Sequence, residues 1–188
     1  MNEVRLTVHR ATNQIGGNCI EIATGDHRIV LDVGRPLDAP NEATGLLPAT
    51  LDLKAPMDGI FISHPHQDHY GLLEETPRDW PVFCGEATKR LIQLTSGIFG
   101  KRIDRDFRPW KSGAPFEVGR FRITPHLTDH SAFDAHMLLI EVEGKRILYS
   151  GDFRTHGRKS ALVERFMAAP PSDIDVVIHQ NIVHPQYQ

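Results

Sequence analysis

Gly59-Ile60-Phe61-Ile62-Ser63-His64-Pro65-His66-Gln67-Asp68-His69 is the stretch on which the reading of this chain turns. Its apolar start reads as a short buried strand, and three histidines and an aspartate crowd into the residues that follow. Imidazole nitrogen and carboxylate oxygen are the donors that hold zinc and similar divalent ions. Two histidines one residue apart at a tight turn can approach a single ion together. Asp68 and His69 then point elsewhere, where a second ion would use them. A lone His-x-His is more often a surface turn without metal. The added Asp-His pair, and the burial implied by Ile60-Phe61-Ile62, favour metal binding.

Outward from this motif, the first third of the chain reads as strands: Arg5 to His9, Asn18 to Ala23 after the Gly16-Gly17 turn, and Arg28 to Val33 after Gly25-Asp26. Gly34 to Pro56, with Pro36, Pro40, Pro48 and Pro56, reads as a long ordered loop. Beyond the motif, Val82 to Cys84 is a strand. A helix follows from Glu86, with Ala87, Leu91, Leu94, Thr95 and Ile98 on its apolar face. Phe121 to Pro125, Met137 to Val142 and Arg146 to Tyr149 are strands, the last two joined by a Glu143-Gly144 turn. Ser160 to Ala168 reads as a helix and Asp175 to Ile178 as a buried strand. Strands dominate each half and a helix closes each, which predicts an α/β sandwich of two sheets face to face with helices outside.

The 188 residues fit one domain, with 40% hydrophobic and 24% charged residues and no apolar run long enough to span a bilayer. No membrane role is expected. The amino-terminal residues lack a secretory pattern, and the two isolated cysteines, Cys19 and Cys84, fit a reducing, cytoplasmic compartment, with a single disulfide as the alternative. A net charge of −3 makes no case for wholesale nucleic-acid binding. Two basic groups stand out locally: Lys101-Arg102, Arg105, Arg108 and Lys111 near Phe107 and Trp110, and Arg154, Arg158 and Lys159. The first is interrupted by Asp104 and Asp106 and reads as solvated surface ahead of a phosphate grip. His9, His27, His126 and His136 lack ligand spacing and read as core or surface residues.

His64-x-His66-x-Asp68-His69 resembles the signature of the metallo-β-lactamase superfamily, and further elements follow in that family's order over nearly the whole chain. The resemblance implies an αββα four-layer sandwich with a two-metal site. It assigns His64 and His66 to one ion, completed by His130 in Thr128-Asp129-His130-Ser131, and Asp68 and His69 to the other. Asp152 in Tyr149-Ser150-Gly151-Asp152-Phe153 looks like the carboxylate bridging both ions. Asp32 in Leu31-Asp32-Val33-Gly34 supports the metal loop through hydrogen bonds. Zinc is the expected metal, with manganese and iron as alternatives. Two such ions would lower the pKa of a shared water to give hydroxide near neutral pH, and Asp68 would orient it or accept its proton.

Ile15-Gly16-Gly17-Asn18-Cys19-Ile20-Glu21-Ile22, Asp129-His130-Ser131 and Ser150-Gly151-Asp152-Phe153 look closest to the ribonuclease J and β-CASP branch. That likeness implies a phosphodiesterase acting on RNA or single-stranded DNA. The branch draws a last histidine for the second ion from beyond an inserted domain, so residues 1–188 are expected to form one domain incomplete at its carboxyl end. His179 or His184 would substitute in a compact member. Two other readings stay open: a hydrolase of small esters, thioesters or lactones, and a remnant that acts by binding.

Overall fold

In the computed structural model, which describes residues 2–14, 16–98, 100 and 102–179, the chain forms two sheets. The first holds β1 (Val4–Arg10), β2 (Cys19–Thr24), β3 (His27–Leu31), β4 (Gly59–Phe61), β5 (Val82–Gly85) and β6 (Phe107–Trp110), paired in chain order. The second holds β7 (Phe116–Val118), β8 (Phe121–Leu127), β9 (His136–Val142), β10 (Lys145–Tyr149) and β11 (Val176–Ile178), with β11 beside β10. Helix α1 (Gln67–Tyr70) is a single turn inside the histidine motif, α2 (Glu86–Ile98) follows β5, and α3 (Ser160–Ala168) follows β10. No helix among the described residues is long and apolar enough to cross a membrane.

Alternation along the strands builds two cores. Ile29 and Leu31 of β3, Phe61 of β4 and Phe83 of β5 face the second sheet, where they meet Phe121, Ile123, Leu138, Ile140, Ile147 and Tyr149. Their neighbours Val30, Ile60 and Val82, with Ile62 and Cys84, face the other way and pack under Ile92 of α2, Leu51 and Met57. Both faces of β3, β4 and β5 are therefore covered, which is why these segments read as continuous apolar runs rather than alternating ones. Between the sheets Phe61 and Phe83 stack with ring centroids 4.9 Å apart.

The expected sandwich is present, and three local expectations change. The buried face of α2 is Thr88, Ile92 and Ser96, whereas Leu94 and Ile98 are exposed. Thr88 is turned inward, its hydroxyl donating to the Asp134 carbonyl at 3.2 Å and its N–H to the Asp134 carboxylate at 2.9 Å. Val176 and Val177 of β11 are exposed among the described residues rather than buried, since β11 pairs only with β10 at the sheet edge. In the basic stretch Arg102, Arg108 and Lys111 are exposed, as expected of solvated surface, and Arg105 is the exception. Phe107 and Trp110 are buried ends of β6, and buried Arg105 donates to the carbonyls of Leu73, Pro77 and Trp80. Lys101 lies outside the described residues. Cys19 and Cys84 are both free and buried in the helix-side core.

Candidate metal centre

Strand direction decides where the chemistry gathers. β3 and β4 run parallel, and β8 and β10 run the same way because each is antiparallel to β9. Asp32 follows β3, His64 to His69 follow β4, His130 follows β8 and Asp152 follows β10. The four loops meet at one edge of the sandwich, where the backbone N–H of His136 donates to the Ser63 carbonyl at 3.0 Å and joins the sheets.

His64, His66 and His130 form one group whose donor atoms converge, and His64, His69 and Asp152 form a second. In the first, His66 Nδ1 lies 3.1 Å from His64 Nε2 and 3.2 Å from His130 Nε2. Zinc–nitrogen bonds of about 2.0–2.1 Å in a tetrahedron set neighbouring nitrogens about 3.3 Å apart, so this spacing fits a divalent ion. Ser63 Oγ donates to Asp32 Oδ2 at 2.8 Å and accepts from His64 Nδ1 at 3.1 Å. That leaves the His64 Nε2 lone pair facing the other imidazoles, the tautomer a ligand requires.

His69 sits deeper, fully buried. Its Nδ1 donates to Asp32 Oδ2 at 2.7 Å, which turns Nε2 toward Asp68 Oδ2 at 3.5 Å and Asp152 Oδ1 at 3.6 Å. The other Asp152 oxygen, Oδ2, lies 3.8 Å from His130 Nε2. One carboxylate thus offers an oxygen to each position, as a bridging ligand must. Asp68 stands at the rim of the second position, its side chain 17% exposed while that of His69 is 0%. Gly34 brings the backbone close enough that a Cβ there would overlap the Asp68 carbonyl, so the loop after β3 fixes where Asp68 begins.

The electrostatics of the two positions differ. Burial, followed by the neighbouring imidazoles, holds His64 well below the usual histidine range. Burial drives His130 down to about 4, with Asp152 only partly offsetting it. Both therefore stay neutral, the form that ligates, down into mildly acidic solution. His69 goes the other way: burial disfavours its charge, but Asp32 and then Asp152 outweigh burial and raise it to about 10. Burial also opposes ionisation of Asp152, yet His69 and the surrounding imidazoles hold its carboxyl below the ordinary range. Without a cation, a proton on His69 supplies the positive charge that this carboxylate-rich position favours.

All of the residues picked out in the sequence for the centre come together here, with Asp32 underneath. His179, after β11, reaches the same edge but is exposed and faces Ser150 Oγ at 3.3 Å and the Phe153 ring at 5.5 Å, outside both groups. His184 lies outside the described residues. Exposed His156 is in neither group; His9 is half-buried beside Glu21, and His136 is buried against Trp110.

Three contributors were not singled out from the sequence. Tyr149 donates its hydroxyl to Asp32 Oδ2 at 2.5 Å, Ser63 donates both its N–H and its hydroxyl to Asp32, and Asn18 Nδ2 lies 3.1 Å from His69 Nε2. Tyr149 and Asn18 lie inside quoted motifs, but nothing in the one-dimensional pattern shows that their side chains reach this loop.

The family model described as "Beta-lactamase superfamily domain" matches residues 27–183. The chain is 28% identical to Ribonuclease J of Helicobacter pylori over 80% of its length and 23% of the relative's. It is also 28% identical to an RNase J-like protein of Methanocaldococcus jannaschii, over 93% of this chain and 41% of that one. The chain thus spans less than half the length of these curated relatives. Among solved structures, a protein of unknown function from Enterococcus faecalis superposes with a TM-score of 0.82 at 20% identity, covering 95% of this chain and 50% of that one. The metallo-beta-lactamase fold protein YhfI of Bacillus subtilis superposes with a TM-score of 0.58 at 17% identity, covering 79% and 63%. With both the sheet architecture and a family match over residues 27–183 in hand, the chain belongs to the metallo-β-lactamase superfamily.

Proposed function

We propose that this domain is the hydrolytic part of a metal-dependent nuclease that cuts phosphodiester bonds in RNA or single-stranded DNA. The observation that carries the hydrolase reading is the placement of Asp152. Its two oxygens lie 3.6 Å from His69 Nε2 and 3.8 Å from His130 Nε2, between two sets of converging donors. Support for a nucleic-acid substrate comes from relatives that carry the name Ribonuclease J.

His64, His66 and His130 would hold one ion and His69, Asp68 and Asp152 the other, with zinc favoured by the imidazole-rich set and manganese or iron as alternatives. Ions held there would supply an acidified water and polarise the phosphoryl group. The chain's own part is positional. Asp32 fixes the imidazole of His69, and Ser63 fixes that of His64. Asp68, the carboxylate at the solvent rim, is placed to orient the attacking water and accept its proton.

The test is metal content per chain measured beside cleavage of a short labelled RNA. Cleavage that stops with chelator, and loss of both metal and cleavage in His66→Ala, is the expected result. Intact RNA from a fully loaded protein that hydrolyses a model thioester or lactone would replace this reading with a small-molecule hydrolase. Full metal content in His66→Ala would overturn the ligand assignment.

A further inference from the structure

The loop after Asp152 and the loop after His130 are bound to each other, and the surface they share is cationic and aromatic. Asp129, fully buried next to His130, accepts from the Gly157 N–H at 2.6 Å, and its backbone carbonyl accepts from the Arg154 N–H at 2.7 Å. The Lys159 ammonium lies 3.4 Å from the Ala132 carbonyl and 5.8 Å from the centroid of the Phe133 ring. Phe133 is 66% exposed, a large aromatic left in water on a loop otherwise held in place. From Phe153 to Lys159 the chain carries Arg154, His156, Arg158 and Lys159 and no acid. Two carboxylates lie nearby and both are already bonded: buried Asp129, and Asp134 next to Phe133, which accepts the Thr88 N–H at 2.9 Å.

An exposed ring beside several cations is the composition of a stacking platform for single-stranded nucleic acid: every base has a π-face, and each phosphate has a charge to meet. Phe133 follows His130 by three positions, which limits their Cα atoms to about 11 Å. A base on Phe133 would therefore belong to a nucleotide close to the bond presented to the metal centre.

We infer that Phe133, Arg158 and Lys159 form a strand-binding platform in which Phe133 stacks a base and the two cations take neighbouring backbone phosphates. This rests on the nuclease reading for its substrate, but it concerns binding, which can be measured without turnover. Arg158 is exposed and Phe133 largely so, and neither side chain holds the fold together.

The probe is a fluorescent oligouridylate of about eight nucleotides, titrated onto the metal-loaded chain by anisotropy at several salt concentrations, with cleavage followed in parallel. Phe133→Ala and Phe133→Leu should each weaken binding about fivefold or more, while Phe133→Trp keeps it, because loss of stacking rather than loss of apolar area is responsible. Arg158→Ala should reduce the slope of log affinity against log salt by about 0.7, the value for one single-strand phosphate contact. If wild type binds and cleaves RNA but these variants bind as wild type does, the platform is overturned and the nuclease reading stands. If wild type binds through Phe133 yet never cleaves, the nuclease reading fails and the platform stands. If wild type does not bind RNA, both fall.

Discussion

Tyr149 Oη lies 2.5 Å from Asp32 Oδ2, a hydrogen bond that reaches from the end of a strand in the second sheet to the loop after β3 in the first. The same oxygen accepts from His69 Nδ1 at 2.7 Å and from Ser63 Oγ at 2.8 Å, while Oδ1 takes the Ser63 N–H at 2.8 Å. Asp32 is thereby the common acceptor for a sheet-joining tyrosine and for the loop that carries the candidate metal donors. Its backbone adopts a left-handed conformation, φ 56°, which few side chains other than Asn and Asp tolerate readily.

Asp32→Asn keeps the shape but weakens acceptance by Oδ2 and removes the charge that orients His69. Metal affinity should fall about 10- to 100-fold at the second position, measured by competition with a chromogenic chelator. Tyr149→Phe should leave the metal affinity closer to wild type and cost about 1–2 kcal/mol of stability in urea unfolding, since Asp32 retains its other donors. Equal and full loading of both variants would show that Asp32 does not position the ligand.

Gly34→Ala places a methyl group against the Asp68 carbonyl and the Asn18 backbone. Backbone on both sides leaves nothing flexible to yield. The expected outcome is loss of loaded metal together with a lower melting temperature, read by elemental analysis and circular dichroism. Gly45→Ala, with open space around it, should keep its metal, despite modest strain from its positive φ.

Packing of α2 gives a test free of metal chemistry. Ile92 is fully buried, so Ile92→Ala should cost about 2–4 kcal/mol. Leu94 is 62% exposed, and Leu94→Ala should stay within about 0.5 kcal/mol. A reversed order in denaturant unfolding would restore the helix face expected from apolar spacing.

Acid should destabilise the metal-free chain in a predictable direction. His64, His66 and His130 have pKa values lowered by burial, to about 4 for His130, so below the ordinary histidine range the unfolded chain binds their protons and the fold does not. Stability from these groups is present above about pH 6.5 and is lost as pH falls toward 4. His69, raised to about 10, acts in the opposite sense: its contribution is complete below about pH 6.5 and is lost as pH rises toward 10, so it offsets the loss only at the upper end of the acid range. The melting temperature in chelator should therefore drop between pH 7 and pH 5, and His130→Ala should make the drop shallower. A midpoint that rises on acidification would mean that His69 dominates.

Much of the centre was legible in the sequence because its donors are chemically rare and locally spaced. His64, His66, Asp68 and His69 fall within one turn after β4, and His130 and Asp152 each follow a strand. Short apolar runs bounded by turn residues gave the two-sheet architecture for the same local reason. Less legible were β6, where Pro109 and the charges beside Phe107 hide an edge strand, and the face of α2, where polar Thr88 and Ser96 point inward. A contact with Asp134, 46 residues away, turns Thr88 inward, and no window along the chain contains it.

Residue order alone was enough to show which donors were available to hold a cation and that each follows a strand, since donor chemistry and short apolar runs ended by turns are both local features. Only the tertiary structure decided how those donors share their partners. It put Asp152 between two positions, Asp32 under His69, and Tyr149 across from the other sheet. These relationships depend on where side chains far apart in sequence converge once two separately ordered sheets pack, a three-dimensional outcome that residue order does not encode locally.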